Sequence, residues 1–146
     1  MSDFVARFAG WEARTRESFA RQGAMTHLGA TLHELAPGRC TIAIPFRPEL
    51  SQQHGYFHAG ITSAVADSAG GYAGLSLFPE NSEVLTVEFK INLIAPANGE
   101  ELHATGLVVR SGRTLTVCTV EASVKRDGHW HACAILQQTL MRVESS

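Results

Sequence analysis

The sequence predicts an α+β domain in which one curved antiparallel sheet of about six strands wraps a single long helix. Three observations carry that prediction. Ala59–Phe78, AGITSAVADSAGGYAGLSLF, is small and apolar almost all round, with Asp67 as its one charge. A helix that is apolar on every side is a buried one. After Asn81 come four runs with strand patterning, separated by turns of hairpin length, which makes those strands antiparallel. One sheet curved around the helix gives its apolar circumference the cover it needs.

The elements follow in order. Residues 3–22 read as an amphipathic helix, capped by Ser2 or Asp3. Phe4, Phe8 and Trp11 fall at helical spacing, with Phe19 two turns on. Residues 1–25 thus form a helical extension on a single domain spanning 1–146. Two strands, Leu28–Ala36 and Arg39–Phe46, flank the turn signal Pro37-Gly38, and Pro45 and Pro48 end the second strand. Residues 47–57, polar and aromatic with Gly55, form a loop. The buried helix follows and stops at Pro79, which cannot continue the hydrogen-bond ladder. Its Gly70, Gly71 and Gly74 weaken an isolated helix but let an enclosing sheet come close. Its length matches a membrane span. The flanks lack an aromatic and basic belt and Asp67 would sit near mid-span, so the membrane reading is set aside. Glu83–Ala95 alternates, with Leu85, Val87, Phe89, Ile91 and Leu93 on one face and Thr86, Glu88, Lys90 and Asn92 on the other. Pro96–Gly99 turns the chain into Glu101–Arg110. Ser111-Gly112, a two-residue hairpin signal, leads to Thr114–Lys125, and Asp127-Gly128 leads to Trp130–Val143.

Composition narrows the function classes. At 146 residues and 45% hydrophobic content the chain is one globular domain, and disorder is excluded. The net charge is −2 with no basic stripe, which sets nucleic acid aside. Cys40, Cys118 and Cys133 form no CxxC pair and no disulfide framework, which fits a reducing cytoplasm. Asp3, Arg7, Glu12 and Arg14 break the N-terminal apolar pattern, so neither a signal nor a transit peptide is expected. The charged fraction is 18%, against roughly 25% for typical soluble domains. That deficit points to surface covered by another copy of the chain.

Chemistry-bearing residues converge where the loop enters the buried helix. Gln52 lies in the loop, His58-Ala59-Gly60 opens the helix, and Asp67 lies inside it. A helix start offers unpaired backbone N–H groups and a positive dipole end, suited to a developing oxyanion. Ala59 and Gly60 are small enough to admit a carbonyl, and His58 can orient it. A carboxylate among Ala64, Val65, Ala66, Ala69 and Gly70 is costly to bury without a task or a partner. Ala59 and Asp67 are eight residues apart. That is roughly 12 Å along a helix at 1.5 Å per residue. One carbonyl cannot touch both. Two such helices lying antiparallel would set the Asp67 of one opposite the Ala59 N–H of the other, so joint action on one substrate requires a dimer.

The stretch Gln52–Tyr72 resembles the signature of hotdog-fold thioesterases, and among them the phenylacetate-degradation (PaaI-like) group. Leu85–Ala97 and Arg110–Thr114 match as well, so that the resemblance covers roughly residues 26–143. It implies a hotdog fold and hydrolysis of an acyl-coenzyme A thioester to free acid and coenzyme A. No cofactor is implied beyond the coenzyme A of the substrate. It implies a homodimer with active sites across the interface, paired into a dimer of dimers. Asp67 matches the acid that serves as general base or nucleophile. Gln52 matches a residue that helps hold the attacking water. Ala59, where the family usually has Gly, supplies the N–H that polarises the carbonyl, with His58 beside it. A backbone N–H survives that change provided φ stays negative. Thr86 matches a hydroxyl that positions water, and Arg113 resembles basic positions that meet coenzyme A phosphates.

Other candidates are weaker. Tyr56 and His54 are expected at the site entrance, and Lys90 and Arg110 are further phosphate partners. His129 and His131 share a strand face, but no third ligand is evident, so no metal site is expected. There is no GxSxG elbow, no P-loop and no cysteine in a nucleophile setting. Two other functions fit the same fold: an acyl-thioester hydratase or dehydratase, and a non-catalytic acyl-coenzyme A sensor. The spacing of Gln52, His58 and Asp67 argues against the first. The lack of an appended DNA-binding helix pair argues against a regulator.

Overall fold

The computed structural model describes residues 3–146. Its elements are α1 (Trp11–Arg21), α2 (Gly23–His27), β1 (Thr31–Ala36), β2 (Arg39–Pro45), α3 (Ala59–Leu75), β3 (Ser82–Leu93), β4 (Glu101–Ser111), β5 (Leu115–Arg126) and β6 (His129–Glu144). The strands form one fully antiparallel sheet in the order β1-β2-β4-β5-β6-β3, with α3 packed on one face.

The core lies between α3 and the sheet. Ile42 and Ile44 of β2, Leu102 of β4, Val124 of β5, and Leu136 and Leu140 of β6 meet Val65, Ala66, Ala69 and Leu75 of α3 there. Each large aliphatic side chain removed from water contributes about 1.5–3 kcal/mol. Small helix residues set the closeness of the contact. A Cβ at Gly106 of β4 would strike the backbone of Ala69 and Gly70, so that strand and helix touch backbone to backbone at this point.

Four features depart from the sequence reading. The N-terminal helix begins at Trp11, not at residue 3, so Asp3 does not cap it, and Ser2 lies outside the described residues. Phe8 instead turns back over Arg14, whose guanidinium lies 5.0 Å from the ring centroid. Arg14 reaches beneath α1 and donates to the carbonyls of Leu75 (2.7 Å), Phe78 (3.1 Å) and Pro79 (3.0 Å) at the end of α3. A cation on the last carbonyls of a helix complements its dipole. Burial pulls the Arg14 guanidinium below its usual pKa, while Glu83 and Glu80 pull it back up. Next, the helical extension runs on past residue 25 as the short helix α2, and β1 begins at Thr31 rather than Leu28, after Gly29 turns the chain at φ 70°. The β4–β5 connection is Gly112–Thr114, longer than the two-residue signal, and the strand is bulged at Val109. Asp127-Gly128 is the expected tight hairpin, with φ 52° and 78°.

The fourth departure bears on the site. β3 does not alternate cleanly, because a bulge at Val87 shifts its register against β6. Before the bulge Thr86 pairs with buried Leu140, and after it Phe89 pairs with buried Gln138. Thr86 and Phe89 therefore share the α3 side of the sheet, whereas a regular strand would put them on opposite faces. The sheet also leaves α3 uncovered along one stripe. Gly60, Ser63, Ala64 and Asp67 stay exposed or half-buried while Val65, Ala66, Ala69 and Leu75 are sealed.

Candidate active site

At the loop-to-helix junction, His58 is the N-cap of α3, with extended backbone at φ −63° and ψ 140°. Its Nδ1 accepts from the Gly60 N–H at 2.8 Å. In the neutral ring the proton then sits on Nε2, free to donate. The Gly60 N–H is consumed by that cap, so Gly60 does not offer it to a substrate; its lack of a side chain makes room for the His58 ring. The neighbouring Ala59 N–H has no acceptor among the described residues, and Ala59 is exposed and keeps a negative φ. This is the free donor that the sequence reading required.

Gln52 holds the preceding loop. Its Oε1 accepts from the backbone N–H groups of His54 and Tyr56, leaving its amide NH2 unpaired among the described residues. Gln52, Tyr56, His58 and Ala59 line a cavity of about 610 Å³, together with Leu93 and Ile94.

Asp67 lies in a different cavity, of about 500 Å³, between α3, α1 and β3. It is half-buried, and its Oδ1 accepts from Thr86 Oγ1 at 2.7 Å and from Gln138 Nε2 at 2.9 Å. Neither Ser63 nor Ser68 satisfies it: Ser63 donates to the Ala59 carbonyl and Ser68 to Gln22. Ser18 and Arg21 of α1, with Gln22 at its C-cap, line it opposite Ser68 and Tyr72 of α3 and beside Val84 and Leu85 of β3. Gln22 bridges them, accepting from Ser68 Oγ at 2.9 Å and donating to the Tyr72 hydroxyl at 2.9 Å.

The structure thus assembles Gln52, Tyr56, His58 and Ala59 in one place and Asp67 with Thr86 in another. Within one chain it does not bring the two groups together. Lys90, Arg110 and Arg113 line neither cavity: Lys90 and Arg110 are exposed on strands, and Arg113 lies in the β4–β5 turn, where its carbonyl accepts from Arg142. The cysteines are inert, since burial pushes Cys40 and Cys118 up to about 12 and Cys133 to about 11. The sequence reading missed Gln138 and the α1 wall. A signal for Gln138 was present: on β6 it falls in step with Ala134, Leu136 and Leu140, the buried series, as its one polar member.

A long helix cradled by one antiparallel sheet, with an N-terminal helix beside it, is the hotdog architecture. The model of the thioesterase superfamily matches residues 54–129, more than half of the chain. The chain belongs to that superfamily and is by class a thioester hydrolase. A crystal structure of a thioesterase family protein from Silicibacter pomeroyi is 48% identical, covering 93% of this chain and 100% of that one, with a TM-score of 0.92. Human acyl-coenzyme A thioesterase 13 is 27% identical over 99 residues, 67% of this chain and 70% of that protein. The PaaI protein of the phenylacetic acid degradation operon of E. coli shares the fold, with a TM-score of 0.83 over 93% of this chain and 95% of that one at 17% identity. Among the described residues no helix is long and apolar enough to cross a membrane.

Proposed function

We propose that the protein hydrolyses acyl-coenzyme A thioesters at sites shared between two copies of the chain. The observation that carries this reading is the division of the machinery on α3. The free Ala59 N–H opens one cavity, and the Asp67 carboxylate lines another. Eight residues of helix, roughly 12 Å, separate them. A second α3 lying antiparallel along the open stripe Gly60–Ser63–Ala64–Asp67 joins the two halves. The edge strand β3 supports the same partner: among the described residues it pairs only with β6, and Leu85, Val87 and Phe89 on it are 59%, 57% and 45% exposed. An open apolar edge of this kind is normally covered.

In this reading the thioester carbonyl sits against the Ala59 N–H of one copy, with His58 Nε2 beside it. Asp67 of the other copy attacks the carbonyl carbon or takes a proton from the attacking water. Thr86 and the free amide of Gln52 hold that water. The negative charge that develops on the carbonyl oxygen is met at the helix start, where the dipole is positive. Coenzyme A leaves as the thiol, taking the proton that Asp67 drew from the water; where Asp67 itself attacks, the thiolate takes a proton from solvent and a water then hydrolyses the acyl–Asp67 anhydride. Lys90, Arg110 and Arg113 are exposed cations for its phosphates, reached from the assembled dimer or from a pair of dimers.

The test is release of free thiol from a panel of acyl-coenzyme A substrates, with Asp67→Ala beside the wild type. Turnover that disappears in Asp67→Ala supports the assignment. Unchanged turnover, or tight binding of acyl-coenzyme A without hydrolysis, overturns it.

A further inference from the structure

The Asp67 carboxylate is held asymmetrically. Both of its side-chain donors, Thr86 Oγ1 and Gln138 Nε2, lie on Oδ1, and Oδ2 has no partner among the described residues. Thr86 is an exposed hydroxyl on an edge strand, whereas Gln138 is 1% exposed on an inner strand. An amide buried that deeply is costly unless its hydrogen bonds are made. Gln138 makes only half of them: among the described residues its Oε1 is without a partner. Rotating the amide by half a turn would not help, because it would set that oxygen against the carboxylate. The unsatisfied acceptor is thus the cost of presenting the N–H to Asp67.

The helix is shaped around this arrangement. A Cβ at Gly70, one turn beyond Asp67, would overlap Gln138 Oε1. Gly71 beside it has open space at the same position, and a Cβ at Gly74 would meet Leu140 instead, so the need to clear the Gln138 amide belongs to residue 70. The amide also lies 3.4 Å from the Asp67 carbonyl oxygen, tying the same side chain to the backbone of the residue it orients.

From these contacts we infer that Gln138, seated by Gly70, is a positioning residue for Asp67. With Thr86 it pins Oδ1 and reserves Oδ2 as the oxygen that meets the water or the thioester carbonyl. A carboxylate oxygen with two donors has spent its lone pairs, and the bare one has not. Fixing which oxygen reacts, and its direction, is the kind of restraint whose loss slows chemistry while leaving substrate binding in place. The inference rests on the proposed role of Asp67 as the reacting acid.

The test uses Gln138→Met, close in volume but without a donor, and Gly70→Ala, which displaces the amide while leaving Gln138 in the chain. Each is measured for kcat and KM on the best acyl-coenzyme A substrate, and for Tm. Both are expected to lose ~10- to 100-fold in kcat, with KM changed by less than about threefold. The double variant should be no slower than the slower single one, because both remove one contact. A folded Gln138→Met with kcat within about twofold of wild type overturns the proposal, and if that variant does not fold, the same result in Gly70→Ala does so. A second readout is independent of turnover. In 15N-labelled protein the Gln138 side-chain amide signal, assigned by its absence in Gln138→Met, should move in Asp67→Ala; an unmoved signal overturns the contact itself. Wild-type protein that hydrolyses no acyl-coenzyme A defeats the functional reading. A moved amide signal beside an unaltered kcat in Gln138→Met defeats the positioning role alone.

Discussion

The first turn of α3 and the turn that carries Asp67, the two halves of the proposed reaction site, are built in different ways. The first turn is local. Gln52 folds its own loop, His58 caps its own helix, and the bare Ala59 N–H follows from any helix start whose cap is spent on the next residue. The Asp67 turn is assembled from afar. Its donors come from 19 and 71 residues away, and Gln22 reaches the neighbouring Ser68 across 46. A local site survives changes elsewhere in the molecule. A long-range site is only as good as the register, bulge and helix docking that bring its parts together.

That contrast sets a scale of expected effects. Asp67→Ala removes the reacting group and should lower kcat by about 10³-fold or more, read by thiol release. Ala59→Pro is the matching change at the local end. Proline suits the first helical position, His58 already has the extended backbone that a following proline demands, and the only group lost is the N–H. Turnover should fall roughly 10²- to 10³-fold with Tm unchanged, as for the loss of one oxyanion donor. A drop in Tm as large as the drop in activity would show that the first turn is not the simple local unit described.

Arg14→Ala tests the long-range half from its far side. It strips the cation from the carbonyls at the end of α3 and frees α1, one wall of the Asp67 cavity. Denaturant unfolding should show a loss of about 2–3 kcal/mol. A fall in kcat should follow from the loosened Asp67 cavity, while the Ala59 cavity, which has no α1 residue in its lining, stays unchanged. The smallest effect belongs to Thr86→Val. Gln138 still holds Oδ1, so kcat should fall only about tenfold. A loss as deep as that of Asp67→Ala would make Thr86 the principal partner and sharpen the assignment on β3.

The same contrast explains what could be read in the sequence. The buried helix was legible because glycines and alanines in a run with one charge have few other uses, and the strands because their turns carry Pro37-Gly38, Pro96–Gly99, Ser111-Gly112 and Asp127-Gly128. Gln52, His58, Ala59 and Asp67 stand close together in the chain, so the candidate site could be proposed from their spacing. The bulge at Val87 was not legible. Leu85, Val87, Phe89, Ile91 and Leu93 alternate without a break, and only pairing with β6 turns Thr86 to the helix side. The start of α1 was hidden for a similar reason: Phe4 and Phe8 have helical spacing, but the docking of Arg14 under α1 draws Phe8 back over it. Gln138 has no motif around it, and its meaning comes from Asp67, 71 residues earlier.

The central claim is that the two halves meet only between chains. Asp67→Ala and Ala59→Pro chains, each inactive alone, are co-expressed with different tags and mixed dimers are allowed to form at random. In a mixed dimer of shared sites, one site carries both lesions and the other carries neither. The account predicts that an equal mixture recovers roughly a quarter of wild-type activity, and a purified mixed dimer about half. A mixture as inactive as its two parents would contradict it, and would place the whole site within one chain.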